Sequence, residues 1–199
     1  MIQGAEDRTF SGDDWYGDDL GAAVFTDCVF NDVDFSEATT SGAVFTGCTF
    51  RNCRFNSSTH TTTAFVACEF ARCNFFDATF IGCKVAGGVF SECTMRPLTV
   101  DGGSWRGVVM RHLKLGKADF TGLDLRDADL SGSDLSAATF VRAQLDGANL
   151  RECQLDLADL RGASLNGVDL AHVRLRKTKL DVNGAVLLAE QLGAVVEDL

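Results

Sequence analysis

The chain of 199 residues contains a single proline and no stretch that is rich in serine, glycine and proline. Flexible linkers commonly have such a composition, so we interpret the chain as one domain. No apolar run approaches the ~20 residues of a membrane span, and the first ten residues lack the charged and apolar segments of a signal peptide. We therefore expect a cytoplasmic protein with no membrane contact.

Basic residues are also scarce. The sequence has 18 lysines and arginines against 28 aspartates and glutamates, a formal net charge of -10, which argues against direct binding to nucleic acid. Residues 1–40 carry ten acids and one base, residues 41–115 carry four acids and eight bases, and residues 116–199 carry fourteen acids and nine bases. The acidic ends indicate either a need for solubility or a basic partner.

A five-residue period runs through most of the chain. An apolar residue stands at every multiple of five from Phe10 to Leu180, except at Thr40 and His60. A period of five matches neither the 2.0 of a strand nor the 3.6 of a helix, so it predicts a repeat architecture.

We call the apolar residue at each multiple of five the centre of its repeat. A second inward position lies two residues before each centre. From Ala23 to Cys73 it holds only small residues, and all eight cysteines of the chain fall on it. Two inward positions in five leave three facing outward, and four such short sides close into a square coil of about 20 residues. Coils stacked at ~4.8 Å pair their backbones, as in other β-solenoids. Thirteen of the twenty glycines fall two residues after a centre, where a corner needs a permissive φ.

Residues twenty apart stack in columns in such a coil. Phe30, Phe50, Phe70 and Phe90 form a predicted column of rings, and Thr40 and His60 become neighbours in another column. His60 is either a base or ligand, or a core histidine with satisfied hydrogen bonds, and we favour the second interpretation because buried polar groups are generally paired.

The cysteines also stack, in one column of Cys28, Cys48 and Cys68 and another of Cys53, Cys73 and Cys93. Parallel Cβ atoms ~4.8 Å apart exceed the ~3.8 Å of a disulfide, and the five-residue spacing differs from metal-binding C-x2-C motifs. We expect free, structural thiols. Because no Cys–His or Ser–His constellation stands out either, we expect no catalytic residue, no metal site, no cofactor and no enzymatic activity.

Three local features modify the regular coil. Arg8, Asp13 and Asp18 occupy the small inward position, so we expect a loose polar cap over residues 1–22. Pro97 lacks a backbone N–H, which predicts distorted coils between about residues 94 and 116. Thr39, Thr59, Thr79 and Thr99 form an outward column that resembles the surface of ice-binding solenoids, although threonine is common in strands.

The period stops after Leu180, and the residues that follow predict a helix. Asp181 is suited to cap it and Gly193 to end it. The apolar residues of this segment exceed what one open coil end requires, so we predict a homodimer through it, with a simple lid as the alternative. The predicted interface contains Val182, Ala185, Val186, Leu188, Ala189, Leu192 and Val195. The domain organisation is thus a β-helix over 1–180 and a dimerisation helix and tail over 181–199.

The phrase A(D/N)Lxx, repeated without insertion, resembles the pentapeptide-repeat family. The resemblance implies an all-β fold, a right-handed quadrilateral β-helix, here with a short C-terminal α-helix. It is nearest to the mycobacterial fluoroquinolone-resistance members, which implies a rod-shaped homodimer that mimics duplex DNA, binds DNA gyrase and confers fluoroquinolone resistance. Related members carry loops that contribute to drug protection, and this chain has none.

Six aspartates that precede a central apolar residue are the expected partner-binding surface: Asp119, Asp124, Asp129, Asp134, Asp159 and Asp169. They also suit the hydrogen bonding of a corner, which is the alternative explanation. A rod of ~40 Å of B-DNA carries roughly 23 charges, more than twice the net charge of this chain, so mimicry has to depend on local acidic patches. A protein-binding scaffold with no role at gyrase is the alternative function.

Overall fold

The computed structural model describes residues 4–197 and contains a stack of short parallel strands that ends in one helix. Each strand is two to four residues long, because one side of a five-residue repeat offers no more backbone before the next corner. The strands are β1 Ala5–Glu6, β2 Thr9–Ser11, β3 Val24–Thr26, β4 Val29–Asn31, β5 Thr39–Ser41, β6 Val44–Thr46, β7 Thr49–Arg51, β8 Thr59–Thr61, β9 Ala64–Val66, β10 Glu69–Ala71, β11 Ala78–Ile81, β12 Val89–Ser91 and β13 Leu98–Asp101, and the helix is α1 Val182–Gln191.

The strands form three parallel sheets, each of which is one side of the solenoid. Their orders are β1-β3-β6-β9, β2-β4-β7-β10-β12 and β5-β8-β11-β13. The register advances by one coil per strand, so that Phe30 pairs with Phe50 and Phe50 with Phe70. Single backbone pairs close the fourth side, from Asp14 through Asp34 onward. The predicted β-helix of square coils is therefore confirmed.

Beyond β13 the coils continue with tighter corners. Here the four sides are held by single backbone pairs, such as Ser104 with Asp124 and Asp124 with Gln144. The N–H of the small inward residue donates to the carbonyl of the preceding centre, as Ala128 does to Leu125 at 3.1 Å. This turn recurs at most corners of the C-terminal half, so little extended backbone remains between corners.

The interior consists of columns of large side chains. In one column, neighbouring rings from Phe30 to Phe90 stack with centroids 4.6 to 4.8 Å apart and nearly parallel planes. Leucines continue this column beyond Met110, and Leu130, Leu150 and Leu170 are all buried. The stacking distance matches the ~4.8 Å strand spacing, which confirms the predicted ladder.

The corner two residues after each centre adopts a left-handed backbone in most repeats, whether or not glycine is present. Gly122 has a φ of 68°, and Asp127 and Leu157, at equivalent corners, have φ values of 59° and 65°. The left-handed conformation disfavours residues with a Cβ by about 1–2 kcal/mol. The stacked neighbours above and below therefore impose this conformation on the corner, and glycine only makes it easier.

The N-terminal cap is more regular than the sequence suggests. β1 and β2 pair in register with β3 and β4, and Asp14 and Asp19 pair with residues one coil later. Over residues 4–22 the expectation of a loose segment is therefore wrong, and residues 1–3 of the predicted cap lie outside the described residues. Arg8 and Asp18 are exposed because no coil covers this end, so charged side chains reach solvent without disturbing the backbone.

The stack is interrupted near Pro97, as predicted. Asn74 pairs with Thr94, and Lys114 with Asp134, but Thr94 and Lys114 do not pair with each other. The N–H of Asp77 donates to the carbonyl of Pro97 at 2.8 Å, one residue later than the equivalent acceptor in earlier coils. The missing N–H of proline and this shift leave two sides of the solenoid open between these coils.

Helix α1 closes the last coil. The side chain of Asp181 accepts a hydrogen bond from the N–H of Gly184 at 2.9 Å, which confirms the predicted N-cap. Gln191 extends the coil's hydrogen bonding, because its amide donates to the carbonyl of Val168 and accepts from the N–H of Leu170. No helix among residues 4–197 is long and apolar enough to cross a membrane.

Candidate protein-binding surfaces

The six predicted aspartates all stabilise corners of the coil. In each, Oδ1 accepts a hydrogen bond from the N–H two residues later, over 2.9 to 3.2 Å. The structure distributes them over all four sides: Asp119 and Asp159 share one side, Asp129 and Asp169 another, and Asp124 and Asp134 occupy the remaining two. They therefore form no single patch, and the corner role expected as the alternative is present in every one.

Three of these aspartates have an arginine partner. Arg126 binds Asp124 at 2.8 Å, Arg111 binds Asp129 at 2.6 Å and Arg161 binds Asp159 at 2.7 Å. The hydrogen bonds from arginine lower the pKa of Asp124 and of Asp159 to about 2. Burial opposes ionisation of Asp129, but Arg111 and Ser131 still lower its pKa. These carboxylates are ionised, and an adjacent guanidinium offsets much of their charge.

The other three aspartates have no salt bridge to a described arginine, so less of their negative charge is offset. Asp119 is exposed and has no salt bridge within residues 4–197. The hydrogen bonds from Ser136 lower the pKa of Asp134, with Arg96 and Lys114 contributing. His172 lies 2.8 Å from Asp169, and its hydrogen bond lowers the pKa of that carboxyl group.

The least compensated acidic surface surrounds the N-terminal coils. Among the acids of residues 4–40, Asp34 alone has a salt bridge in the described part of the chain, to Arg54 at 2.7 Å. Asp18, Asp27 and Asp32 are exposed. The charge count of residues 1–40 is the sequence signal for this surface, whereas the A(D/N)Lxx phrase marks the aspartates of the C-terminal third.

The predicted dimer interface divides into two faces of α1 and its tail. Leu188, together with Leu187, packs on the core of the last coil, and a Cβ at Gly184 would contact Leu165 and Leu180. Val182 and Leu192 are 77% and 69% exposed. Ala185 and Val195 are also exposed, while Val186 and Ala189 are partly buried. Leu188 thus seals the coil, and the outward residues remain as an apolar surface.

His60 belongs to the core. It is only 2% exposed. Its Nδ1 lies 2.8 Å from Oγ1 of Thr40, and its Nε2 lies 3.1 Å from Oγ of Ser58. With the proton on Nε2, His60 donates to Ser58, and Ser58 donates to the carbonyl of Phe55 at 2.8 Å. Thr63 then donates to Thr40, and Thr40 to Nδ1. The histidine is fully hydrogen-bonded away from solvent, as the favoured interpretation predicted.

All eight cysteines are free thiols. Seven are buried, and their Sγ atoms lie 3.0 to 3.5 Å from a backbone carbonyl of the preceding coil. Burial raises the pKa of Cys153 to about 11. Among residues 4–197, no group of three or more histidine, cysteine, aspartate or glutamate side chains is arranged to hold a metal ion. The thiols act as small core residues.

Comparisons with solved structures agree with this fold. A trypsin-treated variant of QnrB1, a plasmid-mediated fluoroquinolone resistance protein, matches with a TM-score of 0.74 and 20% identity, over 98% of each chain. A second trypsin-treated QnrB1 variant matches with a TM-score of 0.52 and 22% identity, again over 98% of each chain. No curated protein sequence matches significantly.

Two family models match the repeats themselves. The model described as "Pentapeptide repeat region" matches residues 73–150, and the model described as "Pentapeptide repeats (8 copies)" matches residues 19–58 and 143–181. The matched segments lie on the same uninterrupted five-residue register and on the stacked square coils, so this chain belongs to the pentapeptide-repeat family.

Proposed function

We propose that this protein is a non-catalytic DNA mimic that binds DNA gyrase, modulates its activity and confers fluoroquinolone resistance. The observation that carries the proposal is the exposed acidic surface of the N-terminal coils of the solenoid, where only Asp34 among the acids of residues 4–40 forms a salt bridge with a described residue. The family resemblance supplies gyrase as the partner, and the fold shared with QnrB1 is compatible with it. A charged rod of this kind suits a protein groove that normally receives duplex DNA.

The contact surface we propose includes Asp18, Asp27 and Asp32, which are exposed and form no salt bridge within residues 4–197. Of the six aspartates expected from the sequence, Asp119, Asp134 and Asp169 contribute more than Asp124, Asp129 and Asp159, because the latter three carry arginine partners. Electrostatic complementarity of this kind accelerates association and makes it sensitive to salt.

The proposal includes a homodimer through the outward face of α1 and the tail, where Val182, Leu192 and Val195 are exposed. Each protomer is a rod of roughly 40 Å at ~4.8 Å per coil, so two joined at their C-terminal ends approach 80 Å. The uncompensated N-terminal acids then lie at both outer ends of the dimer. This arrangement presents two identical acidic surfaces, one at each end of the dimer.

Gyrase supercoiling and ATPase assays test the proposal. The unaltered protein should change supercoiling in a saturable manner that weakens with salt. The triple variant Asp18→Asn, Asp27→Asn, Asp32→Asn should need about tenfold more protein for the same effect. Asparagine tolerates the left-handed φ of 50° and 55° at positions 27 and 32, so the coil should persist.

A second triple variant, Asp124→Asn, Asp129→Asn, Asp159→Asn, is the matched control. It removes the same charge from residues that have arginine partners, and asparagine can still accept the corner hydrogen bond, so a smaller effect is expected. An equal loss in both triples would refute the N-terminal assignment. No response of gyrase to the unaltered protein would refute the proposal and favour a scaffold with another partner.

A further inference from the structure

Between the coil of residues 83–99 and the next coil, residues 103–119, two sides of the solenoid are open and two are closed. The N–H groups of Met95, Lys114 and Asp119 have no hydrogen-bond acceptor within residues 4–197. The two closed sides keep their backbone hydrogen bonds. On one, the N–H of Val109 donates to the carbonyl of Gly88 at 2.8 Å, and on the other, the N–H of Ser104 donates to the carbonyl of Cys83 at 3.0 Å. The coils therefore separate as a wedge that exposes two unpaired backbone edges.

The wedge is occupied by two adjoining cavities of about 420 and 280 Å³ that share Arg96. The first lies between residues 93–96 and residues 112–114, and the second between residues 96–98 and residues 116–118. Pockets that bind small ligands commonly measure about 300–1,000 Å³, so the combined space suits a short peptide.

The chemistry of the wedge changes from its floor to its mouth. Met95 and Leu113 are 2% and 5% exposed and form an apolar floor. Arg96, Lys114 and Lys117 are exposed at the mouth. The acids beside them are Asp134, whose pKa is lowered by hydrogen bonds from Ser136 and by Arg96 and Lys114, and the exposed Asp119. The three cations outnumber these two acids, in a chain of net charge -10. A ligand that fits both parts must be apolar on one side and anionic on the other.

We propose that this cleft binds a short extended peptide with the pattern acidic, apolar, acidic, which enters as an extra strand between two coils. An extended backbone supplies the carbonyls and N–H groups that the two open edges lack. Because side chains alternate along a strand, a central apolar side chain meets Met95 and Leu113 while its two neighbours face outward. At those outward positions, acidic side chains reach Arg96 and Lys114.

Titration of the ¹⁵N-labelled full-length protein with the peptide acetyl-Asp-Val-Asp-amide tests the site. Saturable shifts are expected at the amides of Met95, Lys114 and Asp119. The same peptide with an N-methylated valine keeps its charge but cannot donate from the central residue, so it should bind about tenfold more weakly. Equal binding of the two peptides, or no saturation at millimolar peptide, would overturn the proposal.

Paired variants separate the cleft from general charge attraction. Arg96→Gln with Lys114→Gln should weaken binding about tenfold. Arg142→Gln with Arg151→Gln removes the same charge from exposed residues outside the cleft and should leave the affinity unchanged. The amide spectrum of residues far from the cleft reports whether each variant is folded. If both pairs weaken binding equally, or if inorganic phosphate at matched ionic strength produces the same shifts, the peptide assignment is wrong.

Discussion

Each side chain in this core packs against side chains of the coils on both sides of it, and a polar side chain must also find its hydrogen-bond partners there. His60 stands in a column of large side chains, with its ring 5.0 Å from that of Phe80, and still finds hydroxyl partners for both nitrogens. Complete burial lowers its pKa to about 3, so the ring is neutral in the folded protein. A hydroxyl chain can satisfy a neutral imidazole, whereas nothing in this part of the core offsets an imidazolium.

Acid is therefore expected to destabilise the fold through His60. An unfolded histidine has a pKa of ~6.5, so between that pH and about 3 the unfolded state binds one more proton than the folded state. The free energy of unfolding should fall by up to ~1.4 kcal/mol per pH unit in this window, and the full contribution of His60 is present only above it. Urea unfolding at about pH 7.5, 6 and 5 measures the slope.

His60→Phe should flatten this slope, because phenylalanine fits the ring column and does not titrate, and Thr40 keeps its bond to Thr63. His112→Gln, at an exposed position, is the control for loss of a histidine that lies outside the buried column. Asp124 and Asp159, with pKa values of about 2, act only at lower pH. Identical slopes for the unaltered protein and His60→Phe would contradict the assignment.

Among the elements, α1 has two tasks on opposite faces. Its inner face, with Leu187, Leu188 and Gln191, closes the last coil by packing and by hydrogen bonds that imitate a further coil. Its outer face exposes Val182 and Leu192. Since the inner face alone seals the solenoid, the exposed apolar side chains are available for a second copy.

Substitution of the outer face should separate the dimer without unfolding the coil. In Val182→Glu with Leu192→Glu, charges facing each other across a two-fold axis repel, so light scattering after size exclusion should change from the mass of two chains to that of one. The melting temperature at high dilution should change little. Gln144→Glu with Gln154→Glu adds the same charge to exposed coil residues and should leave the dimer intact. A monomeric unaltered protein would exclude the dimer.

At the scale of the whole molecule, the wedge near Pro97 divides the solenoid. Stability of a solenoid is approximately a sum of repeat terms and interfaces between neighbours. Between the two halves only two of four sides keep their backbone pairs, for example Val89 with Val109 and Lys84 with Ser104. The N-terminal half has a core mainly of stacked phenylalanines, and the C-terminal half mainly of leucines. We therefore expect the halves to unfold separately.

Amide hydrogen exchange of two core variants tests this expectation. Phe50→Ala should cost ~3–5 kcal/mol and accelerate exchange in β4, β7 and β10, while the amides of Leu125 and Leu145 keep their protection. Leu145→Ala should show the reverse pattern. If either variant lowers protection equally in both halves, the solenoid is one cooperative unit.

The sequence was sufficient for the coil because its period is a direct record of which side chains face inward. The stack of rings at Phe30, Phe50 and Phe70 and the interruption at Pro97 could both be predicted, since each depends on a fixed spacing or a missing donor. The sequence does not predict the regular N-terminal coil, because Asp13 at an inward position implies a buried charge, whereas the open end of the solenoid leaves Asp13 partly exposed.

The sequence alone determined the square coil, the column to which each side chain belongs and the end of the repeat at Leu180, because a five-residue period leaves one arrangement of inward and outward positions. Only the tertiary structure decided which charges remain uncompensated. Arg111 forms a salt bridge with Asp129 in the next coil, whereas Asp18 forms none with any described residue, because side chains pack differently around neighbouring corners. It also decided that the coils part on two sides only, since the backbone pairs at Val109 and Ser104 hold the other two together.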